Sequence, residues 1–287
     1  MKTELHCHTN ISDGSYTIDD VLALANYNGV SHLAITNHDT TKGLEEAIEK
    51  GQQQGIEVIP GIEISAYDFE RNRRVHILGY FITPGDEELE KIVQPLVERR
   101  HSASQKMTKR LIEAGYQITW ERCLELAHGG TGVYKQHIMQ ALIEGGYCDS
   151  IYGPLYKKLF SRGQNGEQPG IAFIPMQYLD AVQAVKAIIS AGGVPVLAHP
   201  GQYKSFELVP DLVEAGLQGI EIWHPLHKRE DEEQAKYLAK TYGLIETGGS
   251  DFHGSYDEKP VVIGSRNPGI DVVRQLKERK QQRGVKV

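Results

Sequence analysis

The sequence predicts an α/β protein in which strands alternate with crossover helices, as a barrel or an open sheet, with a block of helices inserted midway. Three observations predict it. Short apolar runs alternate with amphipathic stretches over the first third of the chain, and the same alternation resumes after about residue 178. Between them the hydrophobic period is helical throughout. Residues 1–87 and 175–287 are therefore assigned to the α/β domain and residues 88–174 to a helical insertion.

The first strand is residues 4–8, Glu-Leu-His-Cys-His. Thr17 then caps a helix that runs to about residue 29, with Asp19 and Asp20 in its first turn, where the macrodipole favours acids. Strand 32–36, helix 41–54 and strands 56–65 and 74–82 follow. The insertion reads as helices 92–111, 120–126, 135–144 and 152–160, then a loop over 162–170 rich in Gly, Gln and Asn. A helix over 178–191 stops at Gly192-Gly193, and strand 194–198 begins directly after it. Strand 217–223, helix 227–242 and strand 244–247 complete the alternation, and the basic stretch 277–283 reads as a solvated helix end. No internal repeat interrupts this order.

With 287 residues, 40% hydrophobic and 24% charged, the chain can bury one large core, or one core and a smaller inserted one, and is not a disordered segment. It starts MKTELHCHTN, polar and ionisable, and nowhere approaches the roughly 18 apolar residues of a membrane span, so a cytoplasmic protein without membrane attachment is expected. Cys7, Cys123 and Cys148 are odd in number and form no CxxC pair, which argues against a disulfide framework or a thiolate zinc site. A formal charge of −7 argues against duplex DNA as a partner. A small anionic substrate stays compatible with it, because bound divalent cations reverse the field locally.

The chemistry lies in where the histidines fall. His6 and His8 are two apart on a strand, so they share one face while Cys7 takes the other. Asp13 follows in the loop, and His38 closes the second strand beside Asp39. Glu63 stands between apolar neighbours, His76 lies in the fourth strand, His199 ends strand 194–198, and Asp251 and His253 follow the last strand. Six histidines and three carboxylates thus sit at or near strand ends, which converge on one rim in parallel α/β architectures. Such groups are costly to bury together without cations between them. The set suffices for two or three divalent ions, and nitrogen and oxygen donors without thiolate suit Mn²⁺ first, with Fe²⁺ or Zn²⁺ as alternatives. Multinuclear sites of this type serve phosphoryl transfer.

These motifs resemble those of the PHP (polymerase and histidinol phosphatase) family: His6-Cys7-His8-Thr9 with Ser12-Asp13-Gly14, Thr36-Asn37-His38-Asp39-Thr40, Gly61-Ile62-Glu63, Leu197-Ala198-His199-Pro200 and Gly249-Ser250-Asp251-Phe252-His253-Gly254. The resemblance implies a distorted seven-stranded (β/α) barrel, the (β/α)7 PHP fold, carrying a trinuclear metal site. It implies one ion held by His6, His8, Glu63 and Asp251, a second by Glu63, His76 and His199, and a third by Asp13, His38 and His253. Asp13, His38, Glu63 and Asp251 would then centre the catalysis. Within the family the insertion and Gly219-Ile220-Glu221-Ile222-Trp223-His224 resemble the branch of nucleoside 3′,5′-bisphosphate phosphatases and short-RNA 5′-exonucleases. That branch holds substrate phosphate with a Gly-Arg-Pro-His segment, where this chain has Tyr134-Lys135-Gln136-His137, lysine replacing arginine. Lys135, His137 and His224 are the substrate-binding residues this implies.

The expected activity is release of phosphate from nucleoside 3′,5′-bisphosphates, leaving the 5′-monophosphate, with 5′–3′ exonuclease action on short oligoribonucleotides as a further activity. Histidinol-phosphate phosphatase and a non-catalytic metal-binding module are the alternatives. The expected partner is a small phosphorylated molecule, a nucleotide or short RNA, with no obligate protein partner. His32, His101, His128 and His227 read as surface or packing histidines. Asp39 either orients His38 or caps the next helix, Cys7 packs beneath an outer helix, and the run Arg71, Arg73, Arg74 reads as a solvated face.

Overall fold

The structure, a computed structural model, describes residues 2–163 and 167–284, so positions 164–166 of the 162–170 loop lie outside the described residues. The first half of the barrel comprises β1 (Lys2–Glu4), α1 (Ile18–Tyr27), β2 (Val30–Ile35), α2 (Leu44–Gln53), β3 (Glu57–Asp68) and β4 (Arg73–Tyr80). The helical excursion follows as α3 (Glu87–Glu113), α4 (Trp120–Leu126), α5 (Lys135–Glu144) and α6 (Pro154–Phe160). The chain returns through β5 (Leu179–Asp180), α7 (Ala181–Ser190), β6 (Val194–Leu197), α8 (Pro200–Tyr203), α9 (Val209–Ala215), β7 (Gly219–Trp223), α10 (Arg229–Tyr242), β8 (Ile245–Gly248) and α11 (Ile270–Gly284).

One path of seven strands runs β1-β2-β3-β4-β6-β7-β8, and the two-residue β5 pairs with β3 beside it. Two single bridges extend the pairing at the strand ends, His38 with Glu63 and Cys7 with Phe252. The second joins the segment after β1 to the segment after β8, the two ends of the path. The sheet is mostly parallel, but β4 departs from the sequence expectation. It is antiparallel to both β3 and β6. The four residues between β3 and β4 are too few for a crossover, and Asn72 takes a left-handed φ of 52° to close the hairpin.

Burial sorts the strand residues by parity. Leu78 and Tyr80 join Leu5, Ala34, Ile59, Val194 and Val196 in an interior cluster, whereas Val75 and Ile77 pack outward against the helices. A separate apolar cluster, centred on Met107, Cys123, Ile138 and Leu142, lies within the excursion. The helix starts follow their caps. Thr17 and Asp20 form a capping box on α1, and the Asp86 carboxylate accepts from the Leu89 N–H at 2.9 Å, so α3 begins five residues earlier than its apolar period at residue 92. No helix among the described residues is long and apolar enough to cross a membrane.

Candidate metal centre

The ligand-bearing segments are locked backbone to backbone at the strand ends. Cys7 accepts from the Thr36 N–H at 2.9 Å, and the Glu63 N–H donates to Asn37 at 3.2 Å. Cys7 is fully buried in the outer core, which turns His6 and His8 to the opposite side, with ring centroids 5.4 Å apart. Three non-glycine residues at this rim adopt positive φ: Asp39 at 55°, His199 at 22° and Asp251 at 50°. Backbone of this kind is costly and persists where surrounding contacts over-determine it.

All nine predicted ligands meet, and Glu63 is the hub. Its Oε1 lies 2.8 Å from His76 Nδ1 and 2.9 Å from His199 Nε2. Its Oε2 lies 3.4, 3.2 and 3.3 Å from His6 Nε2, His8 Nε2 and His38 Nδ1. Asp251 Oδ1 sits 3.2 Å from both His6 Nε2 and His8 Nε2. Asp13 faces His8 and His253, each at 3.4 Å, and His38 at 3.7 Å. Three groups of donor atoms fall within 4.8 Å of one another: His6, His8, Glu63 and Asp251; His38, Glu63 and His76; and His8, Asp13, His38 and His253. His38 and His8 therefore each stand in one more group than the resemblance implies, and His199 meets the cluster through Glu63.

The donor chemistry fits divalent cations. With neutral imidazoles the three carboxylates leave the cluster at −3. Buried His6 Nε2, His8 Nε2, His199 Nδ1 and Asp251 Oδ1 have no hydrogen-bond partner, although such atoms are normally satisfied. Burial would raise the Glu63 carboxyl, yet His76, His38 and His6 hold it well below its ordinary value. Burial opposes the same outcome at Asp13, where His253 and His38 prevail, and at Asp251, where His6 and His253 do.

Several supporting residues escaped the sequence reading. Glu221, fully buried, meets His6 Nδ1 at 3.0 Å and accepts from the His199 N–H at 2.8 Å. It thereby directs the His6 Nε2 lone pair into the cluster. Glu4 accepts from the backbone N–H groups of His6, Ser250 and Gly264 at 2.8–3.0 Å, tying the first ligand segment to the last. Gln136 donates to Asp13 Oδ2 at 2.9 Å from the excursion side. Asp39 takes neither expected role. It accepts from the Ser65 N–H at 2.7 Å and pairs with Arg100 at 2.7 Å, while Gly43 occupies the N-cap of α2.

A cavity of about 730 Å³ opens over the cluster, with the barrel rim on one side and α3, α5 and α6 on the other. Lys135 and His224 line it, and His224 Nε2 lies 3.2 Å from Asp251 Oδ2. His137 is placed otherwise: it is buried, its Nδ1 accepts from the Tyr134 N–H at 3.0 Å, and its ring packs edge-on against Tyr256. His227 is a buried brace, bonded to Ile222 O at 2.7 Å and to the Gly201 N–H at 3.1 Å.

The PHP domain family model matches residues 4–173, more than half of the chain. The chain belongs to the PHP family. Among PHP relatives, the phosphoribosyl 1,2-cyclic phosphate 1,2-diphosphodiesterase of Eggerthella lenta is 47% identical over 93% of this chain and 100% of its own length. The 3′,5′-nucleoside bisphosphate phosphatase of Chromobacterium violaceum is 29% identical over 87% of this chain and 86% of its own. A solved structure from Bifidobacterium adolescentis, a candidate metal-dependent phosphoesterase, superposes with a TM-score of 0.87 over 96% of both chains at 28% identity.

Proposed function

We propose that this PHP protein is a metal-dependent phosphoesterase whose substrate is a small ribose carrying two phosphoryl groups. The observation that carries the reading is the convergence of nine imidazoles and carboxylates, seven of them lining one cavity, with buried unpartnered atoms at His6, His8 and Asp251. Two or three divalent ions fit this donor set, Mn²⁺ first, by the absence of thiolate and the mixture of nitrogen and oxygen. Ions bound there supply polarisation of the phosphoryl oxygens and acidify water for attack.

The chain's own residues do the rest. Glu63 presents one oxygen to each half of the cluster, so it can bridge; Asp251 and Asp13 complete the two flanks. Glu221 fixes His6 from behind, and Gln136 fixes Asp13 from the excursion side. His224, on the cavity wall beside Asp251, is placed to give a proton to the leaving oxygen. Residues 88–174 act as a cap that walls the cavity and excludes water.

Two substrates satisfy the reading. Release of phosphate from a nucleoside 3′,5′-bisphosphate is supported by the Chromobacterium relative. Opening of phosphoribosyl 1,2-cyclic phosphate, and then hydrolysis of the resulting monoester, is supported by the Eggerthella relative. The cyclic phosphate is expected to be the faster, since that relative shares 47% identity against 29%. The test is phosphate release by the Mn²⁺-saturated protein from both compounds, with histidinol phosphate as counter-substrate and Asp251→Ala as control. Release from neither compound above that control sinks the reading, and faster turnover of histidinol phosphate replaces it with the other family activity.

A further inference from the structure

Among the described residues, Arg74, Lys135 and Arg162 stand on the cavity wall without an ion pair to an acid. Their neighbours have one: Arg100 pairs with Asp39, Arg71 with Asp68 and Asp211, and Arg73 with Glu207. Arg74 differs from Arg73 because the strand alternates. It stands two residues before His76 and shares that side chain's direction, into the cavity. Its Nε is buried without a hydrogen-bond partner, and its guanidinium lies 5.8 Å over the Tyr178 ring. Arg162, just after α6, lies 5.8 Å over the Tyr67 ring and reaches its hydroxyl at 3.4 Å. Tyr67 and Tyr178 are themselves stacked, 5.8 Å apart and within 7° of parallel, so the two guanidinium groups flank one aromatic pair. Lys135 Nζ sits 5.1 Å over Phe160 and 5.8 Å over Tyr156.

Aromatic faces stabilise a cation by much less than half-burying three like charges costs. The crowding is visible at Lys135, whose ammonium is pushed down to about 7, first by burial and then by Arg74, Arg162 and Arg100. A guanidinium fork matches phosphate geometry, and a dianion would offset two of the three charges. The group lies one side chain from the cluster. Arg74 lies beside Tyr203, whose ring is 5.0 Å from that of His76 and 5.4 Å from that of His199.

We propose that Arg74 and Arg162 join Lys135, the position where the family resemblance already implies a phosphate contact, in a second phosphate subsite that grips the non-reacting 5-phosphate of the ribose while the other phosphoester lies over the histidine–carboxylate cluster. This rests on the substrate reading above and deepens it. Both candidate substrates carry that 5-phosphate, so one grip serves the cyclic diester and the bisphosphate alike.

The experiment compares adenosine 3′,5′-bisphosphate with adenosine 3′-monophosphate, in the wild-type holoenzyme and in Arg74→Gln and Arg162→Gln. Wild-type kcat/KM should favour the bisphosphate, and each variant should reduce that preference about 10- to 100-fold, the worth of one or two charged hydrogen bonds. Equal losses on both substrates would mean general damage and would overturn the subsite. Ribose 5-phosphate binding, measured by calorimetry on chelator-treated protein, gives an arm independent of turnover. Binding by the wild type that is lost in Arg162→Gln supports the subsite, even if no phosphoester is turned over and the catalytic reading fails. Failure of the wild type to bind ribose 5-phosphate, while it still hydrolyses the bisphosphate, refutes the subsite and leaves the catalytic reading standing.

Discussion

The cluster on the barrel rim and the cavity wall opposite it are both made of charged side chains, yet they are held by different means. On the rim the side chains are held by hydrogen bonds and backbone pairing: Glu221 holds His6 and the His199 N–H, Gln136 holds Asp13, a backbone bridge ties His38 to Glu63, and Glu4 accepts from the Ser250 N–H. On the opposite wall Lys135 and Arg162 lie mainly against ring faces, contributed by α5 and the segment after α6. Backbone pairing fixes the strand ends, whereas ring faces tolerate sliding. The reaction is thus built into the part that cannot move without disturbing the sheet. The proposed phosphate contacts fall largely on a part with its own apolar cluster, which reaches the ligands through Gln136 at Asp13. The Lys135 replacement of the family arginine falls on that second, permissive side.

Four measurements break or sharpen this contrast. Glu63→Gln should have the largest effect, because it removes the charge both halves of the cluster share. Activity should fall by about 10³-fold or more, and bound metal per chain, read by elemental analysis, should fall with it. A variant that keeps its metal and its rate would refute the shared role. Glu221→Gln touches no substrate and should still weaken metal binding about 10- to 100-fold in a chelator competition, through the lost orientation of His6.

On the other wall the effect should show in affinity and in pH. The Lys135 ammonium faces Arg74, Arg100 and Arg162, with Tyr156 beside it, and its value of about 7 lies far below that of a free lysine. Above that pH the unliganded side chain is neutral, while a bound phosphate dianion raises its proton affinity, so binding takes up a proton. Affinity for ribose 5-phosphate should accordingly weaken as pH climbs past about 7, by about tenfold per unit. Lys135→Met should bind weakly and without that slope; an unchanged slope would assign the proton elsewhere. The smallest effect belongs to Thr119→Ala, which deletes the cap on the Arg122 N–H at the start of α4. It should cost about 1 kcal/mol in denaturant unfolding and leave phosphate release as it was. A loss of activity there would mean that the excursion and the rim are more tightly coupled than their separate clusters suggest.

Much of the rim was legible because its ligands come in short patterns at strand ends, and a period of two puts His6 and His8 on one face without further information. The same arithmetic applies to Arg74 and His76, where the neighbouring Arg71 and Arg73 made the run look like a solvated face. Glu221 carried a signal too: Gly219-Ile220-Glu221-Ile222 repeats the residue pattern of Gly61-Ile62-Glu63-Ile64. Glu4 had none, since an acid in the first strand looks solvated until three backbone N–H groups are found on it. The β3–β4 hairpin was hidden by the prevailing expectation of crossovers, although four residues cannot make one.

Residue type and periodicity, which are local, fixed the alternation of elements, the helical block and the nine histidines and carboxylates that converge on the rim. Which of those donors come together, which way His137 faces and which cations lack an acid depend on how the strand ends curl together and where the helical block leans over them. Those are distances between residues far apart in the chain, set by packing, and only the folded molecule contains them.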